Sequence, residues 1–227
     1  MKKITDSWYK NKTWNGDIDS RFEKQLRYTR NGTHKAEYLQ IQGCLLLENP
    51  AENIQEVGQV LLSRLFEDHP KEYCQVLTAQ EKLGDYFFKK QQYEKAAGYF
   101  KIVTAYCVQQ QSRTNTSLMT DLKWADTVLK MNLVDSLEEA FQLVIHYPVS
   151  LLKLNEQQFY YAELSALVCD KMNKITAAKE FAAQALKLAR TVKASAVKNN
   201  KVLIADNRLQ KLALILEANE TGETDSV

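Results

Sequence analysis

Small residues recur along this chain at a nearly fixed interval: Gly43, Gly84, Ala125 and Ser165 are separated by 41, 41 and 40 residues. A second series, Gly58, Ala96, Ser136 and Ala177, follows with gaps of 38, 40 and 41. Each member of the first series lies in one stretch with helical apolar spacing, and each member of the second lies in the next. Repetition on this scale predicts an array of helix pairs, because a small side chain lets two helix backbones approach closely. Only 7 Gly and 3 Pro occur among 227 residues, which suits long helices joined by short turns. The expected fold class is all-α, an α-solenoid of about four antiparallel helix pairs.

The unit around Gly84 carries the fullest pattern. Leu83, Gly84 and Phe87 share one face of a first helix, a polar turn follows at 89–92, and Ala96, Phe100 and Val103 share the inner face of a second. Gly84 and Ala96 are expected to bring the two backbones together, with Phe87 and Phe100 filling the space beside them. The unit at Tyr161, Leu164, Ser165, Val168, Ala177 and Phe181 follows the same spacing. Two further units are looser: Gly43, Leu46, Gly58, Leu62 and Leu65, then Trp124, Ala125, Val128, Ser136, Ala140 and Leu143.

In Leu83, Gly84, Phe87, Ala96 and Phe100 the chain resembles the tetratricopeptide repeat family, and the resemblance covers residues 36–190. The family repeats every 34 residues or so, whereas this chain runs at 40–41. The surplus is expected mainly in the linkers 109–117 and 148–156. The resemblance implies that the first helix of each pair lines a concave face whose side chains choose a protein or peptide ligand. Those positions are Glu81, Asp85, Phe88 and Lys89 in one unit, and Ala162, Ala166 and Cys169 in another. Family members that clamp a carboxylate use Lys, Arg and Asn there. Glu81 and Asp85 have the opposite sign, so a basic amphipathic helix or a basic extended peptide is the expected occupant. The alternative is that Glu81 and Asp85 are simply a wetted helix surface.

The ends differ from the body. In residues 1–35, Trp8, Tyr9 and Trp14 stand among polar residues, and a short helix is expected from Asp19 to Arg30 with Phe22 and Leu26 inward. Asn31-Gly32 is expected to end that helix. Trp8 and Trp14 are expected to fold back over the first pair as a cover, the alternative being an anchor for a partner. Residues 191–217 are read as a loop and a capping helix bearing Val202, Ala205, Leu209, Leu212, Ala213 and Leu216, and 218–227 as a frayed acidic tail.

Charge separates along the chain: residues 1–35 carry net +5, residues 36–186 net −5, residues 187–216 net +6, and residues 217–227 net −4. The basic run of Lys187, Arg190, Lys193, Lys198, Lys201, Arg208 and Lys211 lacks interleaved aromatics. It reads as a solubilising cap rather than a nucleic-acid surface. No phosphate loop, His-Glu-x-x-His motif or clustered metal-ligand spacing is present. His34, His69 and His146 lie near expected helix ends, and Glu67-Asp68 and Glu138-Glu139 read as solvated faces. Cys44, Cys74, Cys107 and Cys169 form no Cys-x-x-Cys pair and read as four small buried side chains. The opening residues have no apolar run behind their lysines, and no stretch is long enough to span a membrane, so a cytoplasmic chain is expected.

The expected role is non-catalytic protein or peptide binding, with no cofactor. Its rivals are a dedicated inhibitor, immunity or assembly subunit for one protein partner, and a nucleic-acid-binding helical repeat protein using the basic ends.

Overall fold

Asn15 fixes where the first helix begins: its side-chain oxygen accepts a hydrogen bond from the Ile18 amide at 2.9 Å, and α1 runs Gly16–Tyr28 behind it. The computed structural model describes residues 8–114, 116–198 and 204–217. Among the described residues there are ten α-helices and no strand. The chain divides into two compact units, residues 1–117 and 118–227.

In the first unit α1 is followed by α2 (Gly32–Leu47), α3 (Glu52–Asp68), α4 (Tyr73–Lys89) and α5 (Tyr93–Gln110). Asn31 caps α2 by accepting from the His34 amide at 3.2 Å, so Asn31-Gly32 opens the second helix rather than closing the first. Helix α2 packs on α3, α4 packs on α5, and the two pairs meet through α2 and α4. Leu77, early in α4, clusters with Val103 and Cys107, late in α5, while Gly84 further along meets Phe100. Contacts running in opposite order make the pair antiparallel.

Glycine is required where the backbones converge. A Cβ on Gly58 would lie 2.8 Å from the Gly43 carbonyl oxygen and 3.0 Å from the Leu47 amide nitrogen. One on Gly43 would lie 2.6 Å from Leu62 Cδ2. Gly84 has a different purpose from the one its spacing implied. Its Cβ would fall 2.4 Å from Phe100 Cε1, so the missing side chain admits an aromatic ring instead of the Ala96 backbone.

The surplus over a 34-residue repeat also sits elsewhere than expected. Between Gly43 and Gly84 only 69–72 separates α3 from α4, and α3 itself is 17 residues long. Longer helices carry the extra length there. In the second half it falls in linkers, as expected, between α5 and α6 (Thr120–Met131) and between α7 (Leu137–Ile145) and α8 (Asn155–Lys171). Several helices end on left-handed residues that are not glycine, including Gln111 at φ 49° and Asn132 at φ 52°. This accounts for the scarcity of glycine.

Residues 8–15 lie over α1 and α2 as a strap. The Trp8 ring is 5.3 Å from Phe22 and 4.8 Å from Tyr38, and the Trp14 ring is 5.4 Å from Phe22. Phe22 is fully buried beneath them. Both tryptophan rings thus pack on Phe22 of α1, and Trp8 also packs on Tyr38 of α2.

The second unit holds α6, α7 and α8, then α9 (Ile175–Lys198) and α10 (Asp206–Glu217). Helix α6 packs on α7 and on α8, α8 packs on α9, and α10 lies on α9 and α8. Helix α9 continues past the boundary expected at 190, into the segment 191–217 read as a loop and a capping helix, and α10 occupies the end of that segment. The 218–227 tail and Lys201 lie outside the described residues. Ser136 falls in a single 3-10 turn, Val134–Ser136, where it is half-buried, and Ala140 takes the buried position in α7. The first small-residue series is buried throughout, whereas the second is interrupted at Ser136 and only half-buried at Ala177.

A polar chain links three helices of this unit. Tyr160 Oη donates to Asp126 Oδ2 at 2.9 Å, and Arg208 makes a two-pronged pair with Glu163 while lying 5.0 Å above the Phe159 ring. Arg208 is thus committed to holding α10 rather than free for nucleic acid. Burial holds the Asp126 carboxyl above the ordinary carboxylate range, opposed by Tyr160, Lys130 and Arg208 and reinforced by Glu163. A raised folded-state value means that the native protein loses stability as pH rises through it. Asp126→Asn keeps an acceptor for Tyr160 and removes that loss. We expect the variant to be at least as stable as wild type at pH 7 in urea melts, with the difference shrinking as pH falls towards 4. A variant less stable than wild type at pH 7 would refute this account.

Cys44, Cys107 and Cys169 are buried, but Cys74 is exposed on the first turn of α4, so only three of the four follow the expected pattern. No helix among the described residues is long and apolar enough to cross a membrane.

Candidate functional site

Lys82, Asp85, Tyr86 and Lys89 occupy one stripe of α4, because residues three, four and seven apart share a helix face. Across from them the end of α2 and the turn into α3 present Glu48, Asn49, Pro50 and Gln55. Between the two sides lies a cleft of about 390 Å³ that also takes in Lys90, Cys44 and Leu47. Cys44 and Leu47 are buried and form its apolar base. Desolvation pushes the Cys44 thiol up, opposed by the Gln40 Nε2 donor at 3.5 Å from its sulfur and by Lys82.

The walls are held by amides. Gln55 Nε2 donates to the Asn49 carbonyl at 2.6 Å, and its Oε1 accepts from Tyr86 Oη at 3.2 Å. Gln59 Nε2 reaches the same hydroxyl at 3.5 Å. The Tyr86 ring is therefore fixed, with the Lys90 ammonium 5.8 Å from its centre.

The cations are less committed. Lys82 meets Glu48 at 3.4 Å and Lys90 meets Glu52 at 3.4 Å, with the two carboxylate side chains 63% and 75% exposed. Pairs as wet as these contribute about 1 kcal/mol at most. An incoming carboxylate can replace either glutamate at little cost. Lys82 and Lys89 stand two turns apart, about 10 Å along the axis.

Of the residues expected to face a ligand, Asp85 and Lys89 line this cleft. Glu81 does not. It is buried, and it accepts from the Ser117 amide at 2.8 Å and from the Ser117 hydroxyl, fastening the linker after α5 onto α4. Phe88 packs 5.3 Å from Tyr93 and 6.5 Å from Phe100, inside the α4–α5 pair. Ala162 and Ala166 are fully buried with Cys169 in a core completed by α9 and α10, where no ligand reaches them. Burial raises the Cys169 thiol to about 11. Trp8 and Trp14 are half-buried in the strap.

Comparison with family models, curated proteins and solved structures returns no match. The cleft is thus described by its own chemistry.

Lys82, Tyr86, Lys90 and Gln55 were not singled out by sequence reasoning. The signal for Lys82 was present, since it precedes Lys89 by seven residues. The wrong side of α4 was chosen by one position at Glu81. Gln55 lies in the first turns of α3, and its part in the cleft depends on the turn that sets α3 against α4.

Among the described residues there is no group of three or more His, Cys, Asp and Glu side chains placed to hold a metal ion. His34, His69 and His146 each lie at or near a helix end: the first turn of α2, the C-cap of α3 and the C-cap of α7.

Proposed function

We propose that this chain is a non-catalytic protein-binding module, built of tetratricopeptide-like helix pairs, that holds an acidic extended segment in the α2–α4 cleft. The observation that carries this reading is the stripe of Lys82, Tyr86 and Lys89 beside a fixed amide wall, with Glu81 turned away from it. The expectation of a basic ligand rested on Glu81 and Asp85 together; Asp85 does line the cleft, but with Glu81 buried elsewhere it and Glu48 stand against Lys82, Lys89 and Lys90. Lysines on a cleft rim add steering and selectivity more than raw affinity. An aromatic face and amides beside them suit a main chain in the polyproline II conformation, whose carboxylate side chains three residues apart lie on one side and about 9 Å from each other, close to the lysine spacing.

The test is fluorescence anisotropy with labelled nine-residue peptides of matched composition, one carrying Asp or Glu at every third position and one carrying Lys there. The acidic peptide is expected to bind, and binding should weaken as salt rises. Lys82→Glu combined with Lys89→Glu should lower affinity about tenfold or more, equivalent to ~1.4 kcal/mol. Lys24→Glu on the far helix α1 should change little. Equal binding of both peptides, or indifference to the double reversal, would remove the cleft as the site.

A further inference from the structure

The strap is held in the way a bound peptide is held. Gln42 of α2 is fully buried, and both ends of its carboxamide are used on one strap residue: Oε1 accepts from the Asn11 amide at 2.9 Å and from Asn11 Nδ2 at 2.9 Å, while Nε2 donates to the Asn11 carbonyl at 2.7 Å. Seven residues on, Asn49 Nδ2 donates to the Lys12 carbonyl at 2.6 Å. Two side chains therefore read the main chain of consecutive strap residues. Aromatic rings supply the anchors. Trp8 and Tyr9 pack on Tyr38, at 4.8 and 4.4 Å, and Trp8 also reaches Phe22.

A core-covering segment needs only apolar contact. A buried carboxamide satisfied by one residue's N–H and C=O is instead a device for gripping extended backbone, because leaving that carboxamide unpaired is costly. Remove the strap and α2 presents an aromatic shelf at Tyr38 and an unsatisfied buried amide at Gln42. Such a surface has the two halves of a peptide receptor, main-chain readers and side-chain pockets.

We propose that the surface formed by Tyr38 and Gln42 of α2 and by Asn49 in the turn after it is a receptor for an extended, aromatic-anchored segment, and that residues 8–14 of a second copy of this chain can occupy it in exchange for the resident strap. The hydrogen bonds and ring contacts of this surface are made by that segment, which names the occupant. The resident copy competes at an effective concentration of the order of millimolar, so exchange is masked in the wild type and emerges when the strap is weakened. This surface borders the lysine cleft at Asn49, whose side chain holds the strap and whose carbonyl accepts from Gln55 in the cleft wall, whereas Tyr38, Gln42 and the α4 lysines are not shared.

The experiment uses the full chain and an acetylated, labelled peptide of residues 8–15. With Trp8→Ala and Asn11→Ala together, which weaken the strap and leave α2 intact, the peptide should bind about tenfold or more tightly than it binds wild type. Adding Gln42→Leu should abolish that gain, while adding Lys89→Glu should leave it. Mixing the strap-weakened chain with a Gln42→Leu chain should give a heterodimer in sedimentation velocity that neither forms alone. If Gln42→Leu does not melt cooperatively, Asn49→Asp replaces it: the substitution deletes the donor to Lys12 and keeps the Asn49 oxygen that caps Ala51 at 2.8 Å. A peptide that fails to bind the strap-weakened chain overturns the proposal, and so does binding that ignores both Gln42 and Asn49. Loss of the acidic-peptide binding described above with strap exchange intact would refute the cleft alone.

Discussion

Gly58→Ala is expected to destabilise the first unit by about 2 kcal/mol, although alanine is the better helix former. The added methyl would meet backbone on two sides, the Gly43 oxygen at 2.8 Å and the Leu47 nitrogen at 3.0 Å. Backbone in the middle of a helix cannot rotate away, so α2 and α3 must separate. Overpacking of this kind costs roughly 1–3 kcal/mol, and here the upper end applies, offset by about 1 kcal/mol of helix propensity. The melting temperature should fall by about 4–8 °C. Gly98→Ala supplies the contrast. It lies mid-helix in α5 with nothing within 4 Å of its would-be Cβ. There the same substitution should raise stability by about 0.4–1 kcal/mol. If the two changes moved the melting temperature in the same direction, the α2–α3 contact assigned here would be wrong.

Phe100→Ala should cost about 3–5 kcal/mol, the largest single loss in the first unit. The ring is fully buried, rests on the bare backbone of Gly84 and also faces Phe88 at 6.5 Å. The pairing of ring with glycine makes a sharper test than the truncation alone. Gly84→Ala would place its methyl 2.4–2.6 Å from two ring carbons and should cost about 1–3 kcal/mol. In a Phe100→Leu background that clash is relieved. The double variant should then be more stable than the sum of the singles by about 1 kcal/mol. Additive losses in urea titration would show that the glycine does not serve the ring.

These two contacts also show what the residue pattern could convey. The recurrence of Gly43, Gly84, Ala125 and Ser165 located four buried helix positions, because burial at a helix crossing leaves a size restriction that spacing alone reveals. It did not reveal what each small residue faces: backbone at Gly58, a ring at Gly84. Helix starts were less legible: the first helix was expected from Asp19 but begins at Gly16 behind Asn15, and Asn31-Gly32 serves equally as a stop or a start, which only the neighbouring helix decides. The site was less legible still. Glu81 and Lys82 differ by about 100° around α4, and which of them meets solvent depends on a linker serine 36 residues away. That dependence is long-range and leaves no local trace. The α2 receptor surface was hidden for the same reason, since Gln42 looks like an ordinary polar position until Asn11 is laid against it.

The core of the second unit is lined with alanine: Ala162, Ala166, Ala178, Ala182, Ala185 and Ala189 are all at most 3% exposed, on α8 and α9. Such an interface contributes little per side chain and depends on how near its two helices come. Its mutational tolerance is therefore bounded from above rather than from below. Trimming Ala182 to glycine removes one methyl, whereas enlarging it to valine or leucine leaves no room for α9. In the first unit rings and leucines also fill the space around Gly43, Gly58 and Gly84, so truncation is damaging there as well as enlargement. Random substitution should accordingly wear down the first unit through voids and crowding alike, and the alanine-lined contact of α8 with α9 mainly through crowding.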